Sequence, residues 1–176
     1  MKPVHKIVLI MSAAVMVRPA LATPPDRVVI EDVRAFLNKY LTYNNSNNQD
    51  ITYLYDKNAE IRLTLTKANN ETIKQTLTSG KWVDTIRNAI GKGQTAQEIE
   101  LRKVKVRDIG GNIEVSADRY SRTNCYTDNT YKMVLAKGSA KAYRIVYEEL
   151  YISQKNQCPP PDQELSVDQK IQFTLP

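Results

Sequence analysis

The sequence predicts an α+β fold of about six antiparallel strands, with three helices in its N-terminal half. Apolar residues recur at spacings of three and four in segments of that half, and alternate at spacing two from Ile99 onward. Turn residues at Gly110-Gly111, Thr127-Asp128-Asn129 and Gly138-Ser139 then divide the second half into pieces of strand length.

The first helix is predicted over Asp26 to Thr42, where Val29, Val33, Phe36, Leu37, Tyr40 and Leu41 form one stripe and Asp26 can cap it. The asparagine-rich run YNNSNNQD ends it. DITYLYD, residues 50–56, reads as a short second helix capped by Asp50, and AEIRLTL alternates as the first strand. Asn69-Asn70 turns the chain into a second strand, ETIKQTLT. In SGKWVDTIRNAI the stripe Trp82, Val83, Ile86, Ala89 and Ile90 predicts the third helix, with Gly91 suited to close it in a left-handed conformation. Four strands follow, over about 99–109, 112–125, 130–137 and 141–152.

Residues 1–22, MKPVHKIVLIMSAAVMVRPALA, have a short positive lead, an apolar run from Ile7 to Val17 and the small-residue exit Ala20-Leu21-Ala22. This is the anatomy of a secretory signal peptide cut after Ala22. The apolar run is shorter than the roughly 20 residues of a membrane span, so no integral span is expected after cleavage. Cleavage removes three of the 25 Lys+Arg and none of the 19 Asp+Glu, so the net charge falls from +6 to +3. It also removes His5, the single histidine, and with it every mechanism that needs imidazole.

The remaining chain is sized for one domain over 23–153, followed by a proline-rich tail, 154–176, whose Ile171, Phe173 and Leu175 alternate as a short edge strand would. Cys125 and Cys158 are the only cysteines, and in an exported protein they are expected to pair. Closing 33 residues would contribute roughly 3.8 kcal/mol in the chain-entropy model. With no third thiol, no metal or cofactor is expected.

The basic run in RKVKVRDIGGNIEVSADRY raises the question of nucleic acid. A two-residue Gly110-Gly111 turn sets Arg107 opposite Glu114, Lys105 opposite Ser116 and Lys103 opposite Asp118, with Val106 on Val115 and Val104 on Ala117 behind them. The cations are then partly neutralised across the strands, and no nucleic-acid partner is expected. In the last hairpin the same reasoning pairs Leu135 with Tyr143, Met133 with Ile145 and Tyr131 with Tyr147, on a face that runs on to Tyr151. Ten tyrosines against two phenylalanines is unusual for a plain core, because each buried phenol needs a hydrogen-bond partner or a wet edge. Tyr131, Met133, Ile145 and Tyr147 on the sheet, with Tyr40 and Trp82 from the helices, are therefore the candidate lining of a site for a small apolar or phenolic ligand.

The order of elements, with LYDKNAEIRL leading from the second helix into the first strand and SGKWVDTIRNAI at the third helix, resembles the nuclear transport factor 2-like cone fold, in its ketosteroid isomerase and polyketide cyclase-like branch. The resemblance covers residues 27–152. It implies a curved antiparallel sheet wrapped around the helices, a cavity at one end of the cone, and pairing of two copies through the outer face of the sheet. Laid on this chain, the isomerase pattern puts its oxyanion-hole tyrosine near Tyr40, but its base aspartate falls near Leu63 and its proton-sharing acid near Tyr131. The histidines essential to scytalone dehydratase, another enzyme of this fold, are absent. Asp118 and Tyr120, with Tyr40, are the substitutes available to a pocket enzyme of isomerase, dehydratase or cyclase type.

The expected function is thus a non-catalytic binding or assembly module, periplasmic or secreted, holding a small ligand or a protein partner. The resemblance also admits an accessory component of a secretion or conjugation machine. N-terminal sequencing of the protein exported by its own host should begin at Thr23; a mature chain that keeps residues 1–22 would remove the export reading.

Overall fold

In the computed structural model, residues 27–94, 97–138 and 142–159 are described. The expected signal peptide and the Ile171–Leu175 strand lie outside them. Helix α1 (Arg27–Asn45) leads through a 3-10 turn (Gln49–Leu54) into β1 (Tyr55–Thr66) and β2 (Thr72–Thr78). Helix α2 (Ser79–Gly91) follows, then β3 (Ile99–Asp108), β4 (Ile113–Ser121), β5 (Tyr126–Asp128), β6 (Lys132–Lys137) and β7 (Tyr143–Ser153). The sheet order is β2-β1-β7-β6-β4-β3, with the three-residue β5 pairing β4. All pairs are antiparallel except β1 with β7, which run parallel because the rest of the domain forms the crossover between them.

One face of the sheet and the apolar stripe of α1 make the core: Val33, Phe36, Leu37 and Tyr40 pack with Ile61, Leu101, Val115, Met133, Leu135 and Ile145. Strand β4 alternates strictly between buried and half-buried positions, so Ile113, Val115, Ala117, Arg119 and Ser121 all point inward.

Several local expectations shift. The short helix is 3-10 and capped by the Asn48 side chain, which accepts from the Asp50 N–H; Asp50 is not the cap. Gly91 lies within α2, and the left-handed residue after it is Gly93, whose N–H bonds the Ile90 carbonyl. The strand expected over 112–125 ends at Ser121, and Cys125, at φ 52, turns the chain into β5.

The β3–β4 register holds near its turn, with Arg107 opposite Glu114, Lys105 opposite Ser116 and Val106 opposite Val115. A bulge at Lys103, φ 50, then moves Arg102 opposite Asp118. Lys103 still reaches the Asp118 carboxylate, at 2.8 Å, and Arg107 pairs with Glu114. Cys125 and Cys158 form the expected disulfide, Cα–Cα 4.7 Å.

The last hairpin is corrected more deeply. Leu135 pairs with Ile145 and Lys137 with Tyr143, while Val134 pairs with Tyr147 and Met133 with Glu148. Val146 is the extra residue of a bulge, and beyond it the inward parity of β7 passes from Tyr143 and Ile145 to Glu148 and Leu150. Tyr147 and Tyr151 therefore leave the face on which the sequence placed them.

Candidate functional site

The bulge in β7 sends a carboxylate into the core. Glu148 is 0% exposed, and three phenols donate to it: Tyr40 of α1 and Tyr131 to Oε1, each at 2.8 Å, and Tyr55 at the start of β1 to Oε2 at 2.6 Å. Three elements remote in sequence thus converge on one acceptor pair. A buried carboxylate tolerates this setting because its oxygens are met by donors. In return the phenols are held protonated. Burial and then the Glu148 charge push Tyr40, Tyr55 and Tyr131 well above the ordinary phenol range.

Above this cluster lies a cavity of about 260 Å³ between α1, the 3-10 turn, α2 and the sheet. Tyr40 and Tyr55 form part of its floor, Ile51, Ile86, Ile90 and Leu150 part of its apolar wall, and Asn44 and Gln97 part of its polar rim. The asparagine run holds that rim in place. Asn45 bonds both the N–H and the C=O of Ile99, Asn44 donates to the Gln97 carbonyl and Asn47 to the Gln94 carbonyl. The C-terminal end of α1 is thereby stitched to the segment entering β3.

Two lining groups have buried donors without acceptors. Arg119 is 3% exposed, and its Nε and Nη1 are fully buried with no hydrogen-bond partner. Burial works against the guanidinium charge, but the phenols of Tyr40, Tyr126 and Tyr131 favour it, and the net direction is up. The Trp82 indole Nε1 is likewise buried without a well-formed hydrogen bond, and it interacts only weakly with the Tyr55 hydroxyl.

Of the residues expected to line a site, Tyr40 and Trp82 do line the cavity. Tyr131, Met133 and Ile145 are buried in the core beneath it, and Tyr147 is on the outer face, donating to Glu149 at 2.8 Å under Arg62. Asp118 and Tyr120 also face outward, against Lys103 and Arg102, so they do not meet Tyr40. Sequence reasoning missed Glu148, Tyr55 and Arg119. The signal for Arg119 was its parity with Val115 and Ala117; for Glu148 it was the excess of phenols needing an acceptor. Among the described residues no three His, Cys, Asp or Glu side chains converge as a metal cluster.

Replacing Glu148 by Leu strands three buried donors, and urea denaturation should show a loss of roughly 3–5 kcal/mol. A loss below about 1 kcal/mol would mean that the phenols find other acceptors. The raised phenols also set an alkaline limit. Below the usual value of 10.0 both folded and unfolded chains hold these protons and stability is complete. Above it the unfolded chain releases them first, so stability should fall by about 1.4 kcal/mol per phenol per pH unit, about 4 for the three. Phenolate absorbance should show these three ionising only as the protein unfolds; smooth titration in the folded state would refute the enclosure.

No protein-family model and no curated protein sequence matches the chain. Solved structures do. An NTF2-like protein of unknown function from Pseudomonas putida aligns at TM-score 0.53 and 10% identity, over 82% of this chain and 98% of that one. The yeast UBP3-associated protein BRE5 aligns at 0.50 and 16%, over 69% and 93%, and a Catenulispora acidiphila protein in complex with S-DNPA at 0.50 and 5%, over 72% and 94%. At these identities the likeness is one of fold, and the chain has the nuclear transport factor 2-like cone fold.

Proposed function

We propose that the protein is an exported, non-catalytic binding module that holds a small molecule in the cavity above Glu148. The observation that carries this reading is the cavity's composition. Its described lining combines apolar and aromatic side chains with amides and one arginine, and includes no Asp, Glu, His or Cys. A ligand can be enclosed there, but no lining group can take a proton from it near neutral pH, since the one carboxylate nearby has its oxygens occupied by three phenols. The Catenulispora acidiphila neighbour of the same fold, solved in complex with S-DNPA, is compatible with a binding role for this fold. Export is supported by the N-terminal pattern and by the Cys125–Cys158 disulfide, which suits a periplasmic or secreted setting.

Ala89 lines the cavity from α2, so Ala89→Phe fills it from a helical position while leaving every residue of the Glu148 cluster unchanged. Native mass spectrometry of the oxidised protein from its own host should show a retained small molecule in the parent and none in the variant, with the circular dichroism of the two alike. An empty protein carrying a stoichiometric protein partner, unaffected by the substitution, would replace this reading with a partner-binding one.

A further inference from the structure

We infer that the cavity takes a small monocarboxylic acid with a flat apolar body, its carboxylate received by Arg119 and the Trp82 indole N–H. The inference rests on the ligand-binding reading above and adds the chemistry of the ligand.

A guanidinium carries five N–H donors and keeps its charge at any pH the fold survives. In this interior it lacks partners on two of its three nitrogens, and the Tyr126 phenol is the polar group beside it. Among the described residues no carboxylate lies in ion-pair contact with it. The nearby acid cannot serve, since Tyr40 and Tyr131 occupy one oxygen of Glu148 and Tyr55 the other. The cation is thus nearly enclosed at the wall of a cavity, with two of its nitrogens without acceptors and, among the described residues, no carboxylate beside it.

On the α2 side of the same cavity the Trp82 N–H, which can only donate, has no hydrogen bond of good geometry and only the Tyr55 hydroxyl beside it. A ligand that fits must bring acceptor atoms and a negative charge. Arg119 is the single cation among the described lining residues, which favours a monoanion over a phosphate dianion. Ile51, Ile86, Ile90, Leu150 and Ile152 enclose the rest of the space and call for an apolar body. At about 260 Å³ the cavity falls just under the roughly 300 Å³ of the smallest drug-sized sites, so the acid must be small.

Trp82 is the only tryptophan, so its fluorescence reports directly on this wall. Cinnamate and cinnamamide share size and shape and differ in charge. Titrated into the oxidised protein, cinnamate should quench Trp82 and bind at least about tenfold more tightly than the amide. Arg119→Met should abolish that preference while leaving amide affinity within about threefold. Equal binding of acid and amide to the parent protein would overturn the carboxylate assignment and leave the container reading standing. No binding of either probe, together with a protein that arrives empty from its host, would overturn both. If Arg119→Met does not fold, the parent's acid-to-amide ratio decides, and Arg119→Lys, which keeps the charge, should retain a preference for the acid.

Discussion

A carboxylate with no exposure to solvent must have its oxygens met by donors, and that requirement organises this domain. Glu148 draws one phenol from α1, one from the start of β1 and one from the residue entering β6. An unpaired buried carboxylate is among the costliest groups a core can contain. Any arrangement that displaces α1 from the sheet, or slips the register of β7 by one residue, breaks at least one of these bonds and leaves both partners unsatisfied. Apolar packing alone is less particular, since cores accept many combinations of similar volume. The cluster adds direction to a stripe of valine, phenylalanine and leucine that would otherwise tolerate rotation of the helix.

The cluster also decides what the cavity can do. Tyr40 and Tyr55 present their rings to the cavity while their hydroxyls are committed beneath it, so they contribute surface and no available proton. The asparagines at the rim are similarly occupied, bonding the backbone between Gln94 and Ile99. Polar groups are therefore plentiful around the cavity, yet most are already satisfied by the protein. Arg119 stands apart because two of its nitrogens have no such use, and the Trp82 N–H is no better than loosely met.

Much of this was legible in the sequence, and the failures share one cause. The helices, the strand count to within the short β5, the Cys125–Cys158 pairing and the first steps of the β3–β4 register follow from periodicity and turn chemistry. Side-chain direction in a strand, however, has period two, and one inserted residue reverses it for everything beyond. The bulge at Val146 sent Tyr147 outward and Glu148 inward, and the bulge at Lys103 put Arg102 opposite Asp118 in the ladder, although the Lys103 side chain still reaches that carboxylate. Bulges have no strong local signature here: neither position carries the glycine that would mark one. Where no bulge intervenes, as in β4, parity alone placed Arg119 inside, and only the expectation that arginines face water concealed it.

Arg119 gives the site its energetic character. A guanidinium this deep, with two nitrogens lacking acceptors, lowers the stability of the empty fold relative to one with an apolar side chain there. The Glu148 cluster, the Asn45 clamp on Ile99 and the disulfide all lie outside that deficit and offset it. Under the proposed reading, a ligand that answers the guanidinium would recover the interaction free energy those two nitrogens forgo. Whatever binds the folded state alone adds stability in proportion to the logarithm of its concentration over its Kd. If the proposed ligand binds, stability and binding are coupled through this one side chain, which the Glu148 cluster and the Asn45 clamp hold in place from either side.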